Sequence, residues 1–271
     1  MAALTFDGWS KGAKHHYTCV TISLINGNFE LKSYLLSLKY LKSNTSLDIA
    51  DSLKSALSPY LSSLRNVRLV SVCDQHSSNG LALRNIPDVS TYQEGSINCV
   101  AHKLHDIVKF ATNQNGLIQE AVLKLRNLAG HIHHSRSSEL KLEQKCEETD
   151  SLYYSVPKFY PTRWNIICDQ IVPVITMKKA LIGLKYDKDF INFIPADAEF
   201  TILESIVDIL KLIKSVTEEL SSETVPIIDR TLYLCNQISK SATSSMGSSL
   251  ELNEFFGHVN TNTKSDFFQF R

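Results

Sequence analysis

The sequence predicts an α/β protein, with a mixed sheet near the N-terminus and a mainly helical region after it. Three observations predict this. Three short runs rich in aromatic and β-branched residues open the chain, split by turn residues. Leucines at helical spacing follow, and then one more apolar run, VRLVSVC. Beyond residue 98 the apolar pattern is helical almost throughout.

The strands come first. Residues 3–9 (ALTFDGW), 17–25 (YTCVTISLI) and 29–38 (FELKSYLLSL) read as three antiparallel strands. Asn26-Gly27 between the second and third is a hairpin signal, because both residues tolerate positive φ. In residues 43–64, Ser43 to Thr45 offer N-caps and Asp48 lies in the first turn. Leu53, Leu57, Leu61 and Leu64 share one stripe, and Pro59 kinks or shortens that helix. Residues 67–73 read as a buried strand with Asp74 at its end. Strand, strand, strand, helix, strand is the opening order of a ribonuclease-H-like sheet. A right-handed crossover lays the fourth strand parallel to the first, which makes Asp7 and Asp74 neighbours.

Residues 98–112 and 116–130 read as helices, the second with Leu117, Ala121, Leu125 and Leu128 on one face. Residues 131–155 read as polar and irregular, with His131, His133 and His134 in a solvated loop. Residues 162–186 and 199–220 are helical again, the latter carrying Ile202, Ile206, Ile209, Ile213 and Val216 on one side. From about 239 the chain turns Ser/Asn-rich. The expected domains are therefore 1–130, the N-terminal part of a ribonuclease-H-like core; 131–238, a helical insertion region; and 239–271, a flexible tail.

Composition excludes several classes. The 271 residues are 43% apolar and 21% charged, an ordinary globular balance. No apolar run approaches the ~18 residues of a membrane span, and MAALTFDGWS, with no basic start and Asp7 in its apolar stretch, is not a secretion signal. Net charge is zero, but residues 1–136 hold 14 Lys/Arg against 9 Asp/Glu, a net of +5. That mild excess favours a polyanion without demanding one. The six cysteines are scattered with no C-x-x-C pair, which predicts free thiols rather than disulfides.

Two carboxylates at adjacent strand ends can share divalent cations through oxygen ligands, and two such ions activate a nucleophile and stabilise a leaving oxygen. On turn chemistry alone, Asp7 with Gly8, and Asp74 with His76, Ser77 and Ser78, also read as plain turn residues. Cys99, His102 and Asp106 fall on one helix face, a weak metal face beside a packed Cys and a polar His. Trp164 reads either as a core aromatic or as a stacking residue.

The ordered set LTFDGWS, VSVCDQHSSN, NCVAHKLHDIVK and PTRWN resembles the hAT transposase superfamily over roughly residues 3–235. The resemblance implies a ribonuclease-H-like catalytic domain interrupted by a helical insertion. It implies Asp7 and Asp74 as metal-binding acids, with Mg (or Mn) as cofactor. It implies His102 of the C-x-x-H pair as a catalytic-site residue. Arg163 and Trp164 match an Arg-Trp motif, where an aromatic ring can stack on a displaced base. The implied activity is metal-dependent hydrolysis and strand transfer at transposon DNA ends, in the nucleus, with a possible homo-oligomer and no membrane partner.

The chain departs from the family pattern. Asp74 to Asn79 is five positions rather than four, and no downstream Glu in a matching context supplies a third acid, Glu251 and Glu254 included. A zinc finger before Asp7 is also missing. The expectation is a truncated catalytic fragment with little activity alone; the alternative is a non-enzymatic module that binds DNA or protein. A ribonuclease-H-like exonuclease using D-x-E on the first strand would need an acid where Trp9 stands.

Overall fold

The computed structural model describes residues 2–11, 15–64, 67, 69–86, 97–158, 165–222, 227–247 and 250–268. The protein is mixed α/β, with a five-stranded sheet and eleven α-helices among the described residues. Its contacts define two compact units, Met1–Lys103 with Leu220–Ile228, and Leu104–Glu219 with Asp229–Arg271. The boundary expected at residue 130 falls inside a helix, and the division lies instead at 103/104, one turn into the helix that begins at Val100.

The first unit is built on the sheet. Strands β1 (Ala2–Lys11), β2 (His15–Ile25) and β3 (Leu31–Leu41) form an antiparallel meander. Strand β4 (Leu69–Cys73) lies parallel to β1, and the two-residue β5 (Ile97–Asn98) parallel to β4. The order is β3-β2-β1-β4-β5. Alternation decides the faces. Leu4, Phe6, Val20 and Cys73 point to one side and are buried there.

That side is covered by α1 (Ser46–Leu57), which buries Ile49, Ala50, Leu53, Ala56 and Leu57 in the same cluster. Thr45 caps α1, its Oγ1 accepting from the Asp48 backbone N–H at 3.3 Å. Pro59 sits in a 3₁₀ turn, Ser58–Tyr60, between α1 and the short α2 (Leu61–Leu64). A proline has no N–H for the α pattern and obstructs the preceding turn, so α1 ends where the sequence says it should. Helix α3 (Ser77–Arg84) packs on α1.

The hairpin between β2 and β3 uses its turn residues differently from expectation. Asn26 Oδ1 accepts from the backbone N–H of Asn28 and of Glu30, at 3.0 and 2.9 Å. The residue forced to positive φ is then Phe29, at 62°, not Gly27. Five residues separate the strands, and within them the Asn26 N–H donates to the Glu30 carbonyl at 3.0 Å, closing a three-residue turn whose last position, Phe29, is left-handed.

The second unit is helical. After α4 (Val100–Gln114) come α5 (Gly116–His134), α6 (Arg136–Glu148), α7 (Asn165–Thr176), α8 (Lys178–Gly183), α9 (Asp197–Leu220), α10 (Ile228–Ser244) and α11 (Leu250–Phe268). Two segments expected to be irregular are helices. Residues 136–148 form α6, capped by Ser135, whose Oγ accepts from the Ser138 N–H at 3.2 Å. The region expected as a flexible tail carries the end of α10 and all of α11, where Phe255, Phe256, Val259 and Thr263 are buried at helical spacing. On α5 the buried stripe runs through Ile118, Ala121, Leu125 and Leu128, while Leu117 is exposed.

Ion pairs tie loops to these helices. Lys141 on α6 reaches Asp187 at 3.1 Å and Asp189 at 2.6 Å, and Lys214 on α9 reaches Asp169 on α7 at 2.5 Å. The imidazole of His131 stacks on Phe193, ring centroids 4.1 Å apart, and meets Phe190 edge-on. Burial holds that imidazole below its ordinary pKa, opposed by Asp189. His131 is therefore packed among aromatic rings on a helix rather than in a solvated loop; His133 and His134 are exposed in the last turn of α5. All six cysteines are free, four of them buried. No helix among the described residues is long and apolar enough to cross a membrane.

Candidate functional site

The site is set by strand register. β1 and β4 pair in parallel from Ala2 opposite Leu69 to Thr5 opposite Val72. Two residues further along stand Asp7, still within β1, and Asp74, one residue past the end of β4. The parallel pairing stops at Thr5 and Val72, so Asp7 stands on β1 beside the end of β4, where Asp74 follows. Asp7 is exposed and Asp74 half-buried. Both line one cavity of about 220 Å³, whose wall also holds Thr18, Asn44, His76 and Asn79 together with Phe6, Leu41 and Ile49 from the core under α1.

Local hydrogen bonds fix the frame. Asp7 Oδ1 accepts from the Gly8 N–H at 2.9 Å, and the Thr18 hydroxyl donates to the Asp7 carbonyl at 3.3 Å. Asn79, in the first turn of α3, donates through Nδ2 to the Asp74 carbonyl at 3.3 Å. Asn79 thus reaches back five positions to the Asp74 backbone.

His102 joins the pair. The Cys99 backbone N–H donates to the Cys73 carbonyl at 2.8 Å, which ties the start of α4 to the end of β4. Cys99 precedes α4, and His102 follows one turn into it. The Cys99 thiol is the largest influence on the His102 imidazole; burial opposes it, and the charges of Cys99, Asp74 and Asp7 add to it, so that the imidazole is pushed up to about 9. The Cys99 thiol answers in the other direction. Burial pushes it up, but His102 and the backbone N–H groups of His102 and Ala101 outweigh burial and hold it below its usual value. A helix N-terminus with free N–H groups favours the negative form of sulfur in this way. His102 Nδ1 itself is buried without a hydrogen-bond partner among the described residues.

The donor set bears on metal binding. Two carboxylates with the amide oxygens of Asn44 and Asn79 nearby are hard oxygen ligands, suited to a hydrated Mg or Mn ion that keeps several waters. Among the described residues no group of three or more His, Cys, Asp or Glu side chains is placed to hold a metal. The residues fit an ion held by two acids and water, not one enclosed by protein. That also removes Cys99, His102 and Asp106 as a metal face, and Asp106 is exposed.

The structure brings Asp7 and Asp74 to one cavity; His102 is not among the residues that line it, although the charges of both acids act on its imidazole. Arg163 and Trp164 lie outside the described residues. Sequence reasoning missed Thr18, Asn44 and His76 in the cavity wall. Their signal was register: Thr18 pairs with Gly8, one residue past Asp7. No known family model matches the chain, and no curated protein sequence does.

Proposed function

We propose that this protein carries a two-carboxylate phosphodiester site of the ribonuclease-H-like class. Within that class we place it with the hAT transposases, acting on DNA ends in the nucleus. One observation carries the reading: Asp7 and Asp74, 67 positions apart, line the same cavity on neighbouring parallel strands. The sheet order β3-β2-β1-β4-β5, with β2 alone antiparallel to β1 and β4 parallel to it, supports the fold assignment.

Asp7 and Asp74 would hold a Mg or Mn ion. Bound there, such an ion supplies a polarised phosphate and an activated water or hydroxyl. The chain's own groups do the remaining work. The carboxylates fix the position of the reacting phosphate relative to the sheet end. His102, largely protonated at neutral pH, places a positive charge beside both acids. That charge complements a phosphate oxygen approaching the same cavity. Asn79 holds the Asp74 backbone in place.

Catalysis by the chain alone is expected to be weak, because two acids neutralise less charge than three in the transition state. The absence of a third acid among the described residues favours a second reading, a DNA-binding module without turnover. Nicking of supercoiled plasmid in Mg or Mn decides between them. Activity that disappears in Asp7→Asn and in Asp74→Asn supports the enzyme. Equal traces in wild type and variants remove it.

A further inference from the structure

The face of the sheet that carries Asp7 also carries a row of aromatic rings. β1, β2 and β3 align Trp9 opposite Tyr17, and Tyr17 opposite Tyr40. Trp9 and Tyr17 stack with centroids 5.7 Å apart and planes 18° apart, and Tyr17 meets Tyr40 edge-on at 5.6 Å. Core aromatics are buried, but here Trp9 is 45% and Tyr40 53% exposed. One step further along the strands come Lys11 and His15, paired with each other in register, and Lys42 directly after β3, all exposed. His15 lies against Tyr40, ring centroids 6.0 Å apart.

We propose that Trp9, Tyr17 and Tyr40 form a stacking platform for unpaired nucleotides of a DNA strand, with Lys11, His15 and Lys42 along its phosphate side. Exposed rings on a sheet, bordered by two lysines and a histidine, are what single strands require, since every base has a π-face and every linkage a negative charge. A protein partner would not need the cationic border. Trp9 lies two residues beyond Asp7 on the same face, so a strand on the platform would lead its backbone towards the two carboxylates. The choice of DNA rests on the reading of Asp7 and Asp74 given above; the platform itself does not.

The test uses the full chain and a fluorescein-labelled oligothymidine strand at low salt, read by anisotropy, with a blunt duplex for comparison. Wild type is expected to prefer the single strand. Trp9→Ala and Tyr40→Ala should each weaken binding by about 5- to 100-fold, and Trp9→Phe and Tyr40→Phe should restore most of it. Lys11→Ala with Lys42→Ala should flatten the salt dependence, removing a log–log slope of about 1.4 for two lysines. Both rings are exposed, so folding survives their removal, which circular dichroism checks.

No binding at low salt, or unchanged binding in Trp9→Ala, overturns the proposal. So does a Trp9- and Tyr40-dependent dimer, seen by sedimentation, that binds no strand. Asp7→Asn separates the two readings. If plasmid nicking is absent throughout while strand binding still needs Trp9, the platform stands and the cleavage reading falls.

Discussion

Asp7→Asn should cost little in chelator and most of the cation's stabilisation once a divalent cation is added. In chelator, Asp7 and Asp74 are two like charges lining one cavity, and the raised His102 imidazole offsets part of their repulsion. Asp7 is exposed, so screening keeps that repulsion below about 1 kcal/mol. Asparagine keeps the Oδ1 that accepts from the Gly8 N–H. The variant should therefore melt close to the wild-type temperature. With Mg or Mn at a hundred times its dissociation constant, wild type gains about 2.7 kcal/mol by mass action. At about 2.1 cal/mol/K per residue, that is roughly 5 °C if the whole chain melts together, and more if the first unit melts alone. Asp7→Asn and Asp74→Asn should lose most of this gain. Differential scanning calorimetry of the three proteins in chelator and in metal measures all six states. Equal cation-induced shifts in wild type and variants would refute a shared ion, and a variant much less stable in chelator would mark Asp7 as a purely structural residue of β1.

Other expectations follow from single features. Phe29→Gly should stabilise the protein by about 1 kcal/mol in urea titration, because Phe29 is exposed at φ 62° and only glycine takes that conformation freely; destabilisation would show that its ring packs in solution. Leu53→Ala should cost roughly 3–5 kcal/mol, since Leu53 is fully buried between α1 and the sheet; a cost under ~1 kcal/mol would mean that α1 does not cover the sheet. His102 has a raised pKa in the fold, so its contribution to stability is present below its ordinary value near 6.5 and is lost as pH rises through about 9. Imidazole NMR should report that titration, and Cys99→Ser should lower it. Cys99 should also be alkylated faster than Cys19, Cys146 or Cys168, whose thiols burial pushes up; peptide mapping with Cys19 labelled first would contradict the role of the α4 N-terminus.

What the sequence revealed depended on how strongly each segment patterned its apolar residues. The meander, α1 and β4 were legible because alternation, Asn-Gly, the Thr45 cap and Pro59 all agree. Helix α6 was not, because RSSELKLEQKCEE buries only Ser138, Leu142 and Cys146, a stripe one residue wide. Helix α11 hid behind the serines that precede it, although Phe255, Phe256 and Val259 held the period. The Asp7–Asp74 neighbourhood was legible from topology alone, since one crossover fixes which strands adjoin. The cavity wall was not. Thr18 and Asn44 arrive by register and loop path, which no local pattern encodes. The aromatic row escaped for the same reason: its members are distant in sequence and meet only when β1, β2 and β3 are aligned.

β3 is an edge strand eleven residues long with Leu35 and Leu38 uncovered, the kind of border on which chains polymerise. Its two lysines guard it. A second copy laid antiparallel and centred between Leu35 and Leu36 would bring Lys32 face to face with the mate's Lys39, twice. Two ammonium groups thus work as bumpers against fibril growth, and a chain with both replaced by threonine should leave solution where the native chain does not.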